Sequence, residues 1–281
     1  MSIKHLFFAK RKASESVNIS QVGGITAVSL IGMARSGTSL VARMLNLCGL
    51  FLGHPKHMIP ATPSNPQGHW ELKEFVRVND QLLKRFRGAW NRPPRLEPGW
   101  EFDQGLVGLH RKGERLIRKY FGAQKRWGWK DPRTSLTYSF WKRILPQLKS
   151  VICVRHPLDV AKSLELRDGI PVDTGLRLWF QYTISALNST SPKERIITHY
   201  ESYFMDFEKE LLKIVSFVGL PLEDIPWEIV RSFCMEKLWH HRTGTHHEGT
   251  AINSLPEPIK ALYDSLLNES QRILFYECKG N

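Results

Sequence analysis

Residues 25–48 constrain the fold more than any other stretch of the sequence. Residues 25–31, ITAVSLI, form an apolar and partly β-branched run that is typical of a buried strand. Gly32 and Gly37 follow, and from Thr38 the apolar residues recur at helical spacing. Strand, glycine turn and helix in this order leave the first N–H groups of the helix unpaired, and the helix dipole favours an anion there. The stretch therefore predicts a phosphate site.

The loop between the two glycines lacks the lysine of a P-loop nucleotide triphosphatase. Such enzymes need G-x-x-x-x-G-K-[ST], in which the lysine reaches the terminal phosphates and the hydroxyl binds magnesium. Here Thr38 occupies the lysine position, and the nearest cation, Arg35, lies inside the loop. The hydroxyls of Ser36, Thr38 and Ser39 suit an oxyanion, although a sharp strand-to-helix turn with Arg35 and Ser36 on the surface is the structural alternative. The loop predicts a phosphate cradle that does not move a magnesium-bound γ-phosphate.

The composition is that of a globular protein. The chain has 281 residues, of which 42% are hydrophobic, so a substantial core is expected. No apolar run approaches the twenty residues of a membrane span. The four cysteines are widely scattered and predict reduced thiols rather than disulfides or a zinc set. We therefore expect a cytoplasmic protein with a flexible N-terminal tail at 1–21 and one folded domain at 22–281.

Positive charge is concentrated in one part of the chain. The net charge is +13, and positions 84–143 hold 16 Lys or Arg against 5 Asp or Glu, a surplus of 11. Such a block attracts polyanions or anionic ligands, and a solvated positive face that aids solubility is the alternative. An acidic glycan or lipid is therefore one expected partner, whereas no motif for reading a specific nucleic acid accompanies the charge.

Strand and helix patterns alternate along the chain. This order predicts an α/β fold, a single domain with a central parallel sheet flanked by helices on both faces, P-loop-like in its first unit. Ligands of such sheets bind at the carboxyl ends of the strands, where Arg35, Lys130, Arg155 and Tyr200 all fall. The predicted strands are 25–31, 126–130, 150–154 and 195–198. The predicted helices are 38–48, 71–86, 106–120, 175–187, 211–218 and 259–275. Two further helices are predicted, one that begins at position 134 and one that ends at position 166.

A second anion motif follows the strand at 150–154. Arg155 ends that strand, and Ser163 lies eight residues on in the next helix. An arginine and a hydroxyl so placed can hold one phosphate from two sides. Arg155 capping the sheet and an exposed Ser163 are the alternatives. Together with the loop around Arg35, the motif predicts a ligand with phosphate-like groups at two ends.

With these motifs in place, the chain resembles the PAPS-dependent sulfotransferases, where PAPS is 3′-phosphoadenosine 5′-phosphosulfate. GMARSGTSL resembles their 5′-phosphosulfate loop, and VRHPLDVAKS resembles their 3′-phosphate segment. WGWKDPR is similar to the Lys-Asp-Pro turn of the tyrosylprotein and bacterial branches, and RIITHYESYFMDFEKELLKIVSFVGL to the strand and helix that follow. The resemblance runs from position 25 to position 220.

The resemblance implies a role for each matching residue. It implies that PAPS is the co-substrate, with no metal required, and that Lys130 assists sulfuryl transfer. Tyr200 would lie near the adenine, and Arg242, in a weak match to the family's Arg-Lys-Gly stretch, would add a 3′-phosphate contact. Arg155 and Ser163 would bind the 3′-phosphate. The residues implied for the 5′-phosphate and sulfuryl group are Arg35, Ser36, Gly37, Thr38 and Ser39.

The general base has to come from outside the Lys-Asp-Pro turn. Hormone-type members carry a histidine base there, whereas this chain has Asp131 and Pro132. SNPQGHWEL resembles an Asn-Pro-x-Gly-Tyr-Trp-Glu stretch of bacterial members, which makes Glu71 the candidate. Burial beside Trp70 would raise the pKa of Glu71 towards that of a useful base. The alternative is a glutamate in the first turn of a helix, where the helix dipole stabilises its negative charge. The reserve candidates are His54, His57 and His69.

The sequence predicts sulfuryl transfer from PAPS to an acceptor hydroxyl or amine, on a carbohydrate, lipid or small natural product. The rivals are a P-loop kinase and a basic nucleic-acid-binding protein. A histidine cluster near the C-terminus matches no standard zinc spacing and is predicted to be a mobile loop near the nucleotide. The acceptor and the oligomeric state stay open. The cluster consists of His240, His241, His246 and His247.

Overall fold

The computed structural model describes residues 26–66, 68–241 and 255–277. The predictions that lie outside these residues are those for the tail at 1–21, Arg242, His246 and His247.

In the described part of the chain, four parallel strands form one sheet in the order β2-β1-β3-β4. Each lies where the sequence predicts a strand, with bounds that differ by at most one residue. The interior positions of β3 are buried on both sides, as expected when helices cover both faces of a parallel sheet. The strands are β1 Thr26–Ile31, β2 Arg126–Lys130, β3 Lys149–Val154 and β4 Arg195–His199.

Ten α-helices connect and cover these strands within the described residues, and two of them, α7 and α9, were not predicted. The helices are α1 Thr38–Leu47, α2 Lys73–Arg85, α3 Val107–Phe121, α4 Thr134–Ile144, α5 Pro157–Asp168, α6 Val172–Ser189, α7 Ser202–Met205, α8 Phe207–Val218, α9 Trp227–His241 and α10 Ile259–Glu277.

Helices cover both faces of the sheet. Val151 and Cys153 of β3 belong to a buried cluster formed with α1 to α4, α8 and α9. Ile152 and Val154 point the other way, because side chains alternate along a strand, and pack against α5, α6 and α10. The predicted α/β fold is therefore confirmed. Among the described residues, no helix is long and apolar enough to cross a membrane.

The basic block lies mostly away from the sheet. Helix α3 exposes a row of cations to solvent, as the solvated-face alternative expects. Its exposed cations are Arg111, Arg115, Arg118 and Lys119. Two other members of the block, Lys130 and Arg133, are turned inward at the end of β2.

Gly32, at the end of β1, is the tightest point of the turn. Its φ is +130°, and a Cβ there would lie 2.2 Å from the carbonyl oxygen of Cys153 on β3. Gly49 also has a positive φ, +99°, but a Cβ there would meet nothing within 4 Å. We expect Gly49→Ala to lower the free energy of unfolding by about 1–3 kcal/mol through backbone strain alone. Gly32→Ala should lose a further ~1–3 kcal/mol or more from the clash, measured by urea unfolding. Equal losses in the two variants would contradict this.

Candidate active site

The loop after β1 is shaped to receive an anion. Arg35 has a φ of +74°, and Gly37, with a φ of +85°, stands at the N-cap of α1, which has no side-chain cap. The first turn of the helix is therefore open to a ligand. Only glycine fits at position 37, because a Cβ would lie 2.6 Å from the ring of Tyr200.

The carboxyl ends of all four strands meet at one cavity of about 460 Å³. Arg35 enters it from the loop after β1, and Lys130 from the end of β2. Arg155 follows β3 and Tyr200 follows β4, so the structure brings together the four residues that the sequence placed at strand ends. Gly37, Thr38 and Ser39 also line the cavity.

The two predicted phosphate motifs are in direct contact. Arg35 donates from Nε to Ser163 Oγ at 2.8 Å and from Nη1 to the carbonyl oxygen of Ser64 at 3.1 Å. Ser163 of the second motif therefore contacts the arginine of the first, and its joint binding of one phosphate with Arg155 stays a prediction. Burial lowers the pKa of Arg35, and the charges of Arg167 and then Arg155 lower it further. Cations placed this close repel one another, and a bound anion would offset that repulsion.

Of the buried side-chain atoms that lack a hydrogen-bond partner among the described residues, two lie at or beside the cavity. One is Nε of Arg155, whose guanidinium lies 4.6 Å from the ring centroid of Tyr200 and 3.6 Å from Asp159. The other is Oγ of Ser36, a residue that is 2% exposed and lies behind the lining of the cavity. Because buried polar groups are usually satisfied, these atoms fit a site completed by a ligand.

A strap, residues 62–66 and 68–70, lies over the phosphate loop. Asn65 donates from Nδ2 to Ser39 Oγ at 3.1 Å, and that hydroxyl donates to the carbonyl oxygen of His69 at 3.4 Å. The ring of His69 lies 2.9 Å from Thr62 Oγ1, and its pKa is lowered by burial. His69 is the one reserve base that reaches the cavity. His54 and His57 lie outside its lining.

Glu71 and Lys130 form a buried ion pair at the cavity wall. The distance from Lys130 Nζ to Glu71 Oε1 is 2.5 Å, and the two residues are 4% and 7% exposed. Arg133 Nη1 lies 3.4 Å from Glu71 Oε2. Burial alone would raise the pKa of Glu71, but Lys130 and then Arg133 outweigh it and hold that pKa below its ordinary value. The raised pKa that the sequence predicts for Glu71 is therefore wrong.

Asp131 takes no part in the cavity surface. It is fully buried, and burial raises its pKa. It accepts hydrogen bonds from Asn79 Nδ2 at 2.8 Å and from the backbone N–H and Nη1 of Arg133, both at 3.0 Å. Asp131 thus anchors the Lys-Asp-Pro turn.

Sequence reasoning missed two arginines. Arg133 was quoted within WGWKDPR without a role, although its place after Lys130 was a signal. Arg167 lines the cavity one helical turn after Ser163, a spacing that puts both on one face of α5.

The aromatic loop at 88–103 lies outside the lining of the cavity, and its two tryptophans are half-buried elsewhere. The ring centroid of Trp100 lies 5.5 Å from that of Phe86. Trp90 packs against the cluster around α5 and α6, and neither tryptophan lines the cavity. Elsewhere, within the described residues, there is no group of three or more His, Cys, Asp or Glu able to hold a metal.

A family model described as the sulfotransferase family matches residues 27–224, well over half of the chain. The chain belongs to the sulfotransferase family. This membership favours sulfuryl transfer over the kinase and nucleic-acid alternatives. A search of curated proteins finds no match.

Several solved sulfotransferases are similar in structure. A sulfotransferase domain from the curacin biosynthetic pathway is 19% identical over 70% of this chain and 75% of its own, with a TM-score of 0.44. Mouse sulfotransferase SULT7A1, complexed with PAP, is 18% identical over 88% and 85%, with a TM-score of 0.43. A sulfotransferase from Alicyclobacillus acidocaldarius is 18% identical over 76% and 95%, with a TM-score of 0.39.

Proposed function

We propose that this protein transfers a sulfuryl group from PAPS to an acceptor hydroxyl or amine, on a carbohydrate, lipid or small natural product. The observation that carries the proposal is the meeting of three parts in one cavity. These are the uncapped start of α1 beside Arg35, the unpartnered Nε of Arg155, and the Lys130–Glu71 pair. An acidic acceptor and a cytoplasmic location stay predictions.

The donor would lie across the strand ends. The backbone of Gly37 to Ser39 and the start of α1 would bind its 5′-phosphosulfate, with the hydroxyls of Ser36, Thr38 and Ser39. Arg35 would contribute charge there, held in place by Ser163. At the other end Arg155 and Ser163 would bind the 3′-phosphate, while Tyr200, already against Arg155, would border the adenine. The contact predicted for Arg242 stays a prediction.

The reaction needs one proton acceptor and several cations. Glu71 would take the proton of the acceptor hydroxyl as the acceptor oxygen bonds to sulfur. The bond from sulfur to the 5′-phosphate oxygen breaks, and 3′,5′-adenosine bisphosphate leaves. Arg35 and Lys130 would neutralise the charge that develops on the bridging and peripheral oxygens. The loop and Arg155 would hold donor and acceptor in line.

The direct experiment is a screen for the acceptor. The enzyme is incubated with PAPS and a panel of glycans, lipids and small hydroxyl or amine compounds, and products are sought by mass spectrometry. A product heavier by one sulfuryl group, absent when Arg35→Ala replaces the parent protein, is the expected result. If the acceptor were instead phosphorylated when magnesium and ATP replace PAPS, the result would support the kinase alternative.

The donor site can be tested without an acceptor. We expect 3′,5′-adenosine bisphosphate to raise the melting temperature far more than AMP or ATP, because Arg155 adds a second phosphate contact. Ligand at a hundred times its dissociation constant stabilises by about 2.7 kcal/mol. In Arg155→Ala the bisphosphate should bind more weakly by about 1.5–3 kcal/mol, while AMP is unaffected. Equal shifts for bisphosphate and AMP in the parent protein would contradict a 3′-phosphate site.

A further inference from the structure

Arg133 approaches Glu71 from behind the cavity wall. Its Nη1 lies 3.4 Å from Glu71 Oε2, on the side opposite the oxygen that Lys130 holds. Lys130 and Glu71 line the cavity, whereas Arg133 does not. The two cations on Glu71 therefore differ in position, because only Lys130 forms part of the cavity lining.

Arg133 is fixed by two further carboxylates. Its Nε lies 2.7 Å from Asp80 of α2, and its Nη1 lies 3.0 Å from the fully buried Asp131. Asp131 is held in turn by Asn79 Nδ2, and Asn79 Oδ1 accepts from Thr137. The fully buried Asp131 is thus the firmest anchor of the guanidinium, and the carboxylate neighbours of Arg133 raise its pKa.

Lys130 has to serve two anions in turn. Its Nζ is bound to Glu71, and a sulfuryl donor would bring negative charge to the same wall. A flexible ammonium that turns to the donor leaves Glu71 buried with one cation fewer. Of the charged groups that face Glu71, His69 lowers its pKa less than either cation, and Asp131 is like-charged and opposes its ionised form.

We propose that Arg133 is a positioning residue, which holds the Glu71 carboxylate in place and ionised while Lys130 engages the donor. The inference rests on the proposed function, because it gives Arg133 a task only if Glu71 is the base. Arg133 touches neither donor nor acceptor, and its effect passes through Glu71 alone.

The first test reads Glu71 directly and needs no acceptor. The protein is labelled with ¹³C at the glutamate carboxyl carbons, and the Glu71 signal is assigned by its loss in Glu71→Gln. In Arg133→Gln the midpoint of the Glu71 titration should rise by about one pH unit, because an adjacent cation lowers a carboxyl pKa by about 1–3 units. PAPS should raise the Glu71 midpoint in both proteins, because Lys130 then leaves Glu71 for the donor. An Arg133→Gln midpoint equal to that of the parent would overturn the proposal, and a midpoint that PAPS does not raise would overturn the turning of Lys130.

Arg195→Gln is the matched control. Arg195 is also largely buried, at 11% side-chain exposure against 19% for Arg133, and pairs with Glu269. It begins β4, at the opposite end of the sheet from the cavity. The Arg195→Gln variant should lose stability without moving the midpoint of the Glu71 titration. A shift of that midpoint in both variants would be a general effect of destabilisation and would overturn the role proposed for Arg133.

A double-mutant cycle separates positioning from folding, with the acceptor identified by the screen. Arg133→Gln alone should lower turnover by about tenfold to a hundredfold, with a smaller effect in Arg133→Lys, which keeps the charge. In the Glu71→Gln background the same change should have almost no effect, because there is no carboxylate left to hold. Additive losses would show that Arg133 acts independently of Glu71. If no acceptor is found, the titration still decides the proposal.

Discussion

Turnover should fall by roughly 10²–10⁴ in Glu71→Gln, while donor binding is kept. Glutamine keeps the shape of the side chain but cannot take a proton from the acceptor. It also frees Lys130 from its 2.5 Å ion pair, so the dissociation constant of PAPS should be unchanged or lower. Single-turnover kinetics with the acceptor from the screen, together with calorimetry for PAPS, measure the two effects separately.

The pH dependence of the parent enzyme follows from the ion pair. Lys130 and then Arg133 hold the pKa of Glu71 below its ordinary value. The fall in kcat/KM for the donor at low pH should therefore lie at lower pH than the titration of an ordinary glutamate would give. The corresponding fall in kcat should begin at higher pH, because Lys130 no longer offsets burial once it engages the donor. Both should disappear in Glu71→Gln.

Glu74→Gln is the control for this variant. Glu74 lies three residues further on, in the first turn of α2, and pairs with Arg77 at 2.6 Å on the surface. It should leave both turnover and the pH profile unchanged. Near-normal turnover in Glu71→Gln would remove Glu71 as the base, and His69, the reserve histidine at the cavity, would be tested next.

The sheet could be read from the sequence because its signals are local. The run RWGWK predicts β2 with its observed bounds. Its tryptophans alternate with other residues, and turn residues flank the run. The carboxyl ends of parallel strands meet at one edge whatever the details of packing. The convergence of Arg35, Lys130, Arg155 and Tyr200 on one cavity follows from that rule alone.

The partners of Glu71 could not be read in this way. Lys130 and Arg133 lie 59 and 62 residues away along the chain, so no spacing rule connects them to Glu71. The raised pKa expected for Glu71 rested on burial alone, and burial does act in that direction. The two cations, which only the tertiary fold brings near, reverse the result.

The predicted helix bounds were wrong where long-range contacts determine the ends of a helix. Helix α2 begins at Lys73 rather than Glu71, because the backbone of Glu71 is paired with Ile59, whose N–H donates to its carbonyl oxygen at 2.8 Å. Helix α9 has a weak pattern, since Ile229 is 59% exposed while the adjacent Val230 is fully buried. A narrow buried side of this kind gives little periodicity for a sequence reading to detect.

Within the part of the chain that the structure describes, two buried Lys–Glu pairs allow the role of Lys130 to be isolated. Lys130 and Glu71 lie 2.5 Å apart with side chains 4% and 10% exposed, and Lys213 and Glu210 lie 2.7 Å apart with side chains 3% and 7% exposed. The second pair is in α8 and does not line the cavity. Removing one partner of a buried pair costs about 3–5 kcal/mol, so Lys130→Gln and Lys213→Gln should be destabilised to a similar extent.

Only Lys130→Gln should lose catalysis at a temperature where both variants are folded. Without the ammonium, the charge that develops on the transferred sulfuryl group is not neutralised, and kcat should fall by about 10²–10³. Lys130 is also the first of the two cations that lower the pKa of Glu71, so the loss of rate at low pH should begin at higher pH in this variant. Circular dichroism fixes the temperature, and rates across pH measure both effects. A similar loss of kcat in Lys213→Gln would mean that the Lys130 effect is one of stability, because that lysine is too far from the cavity to act on the sulfuryl group.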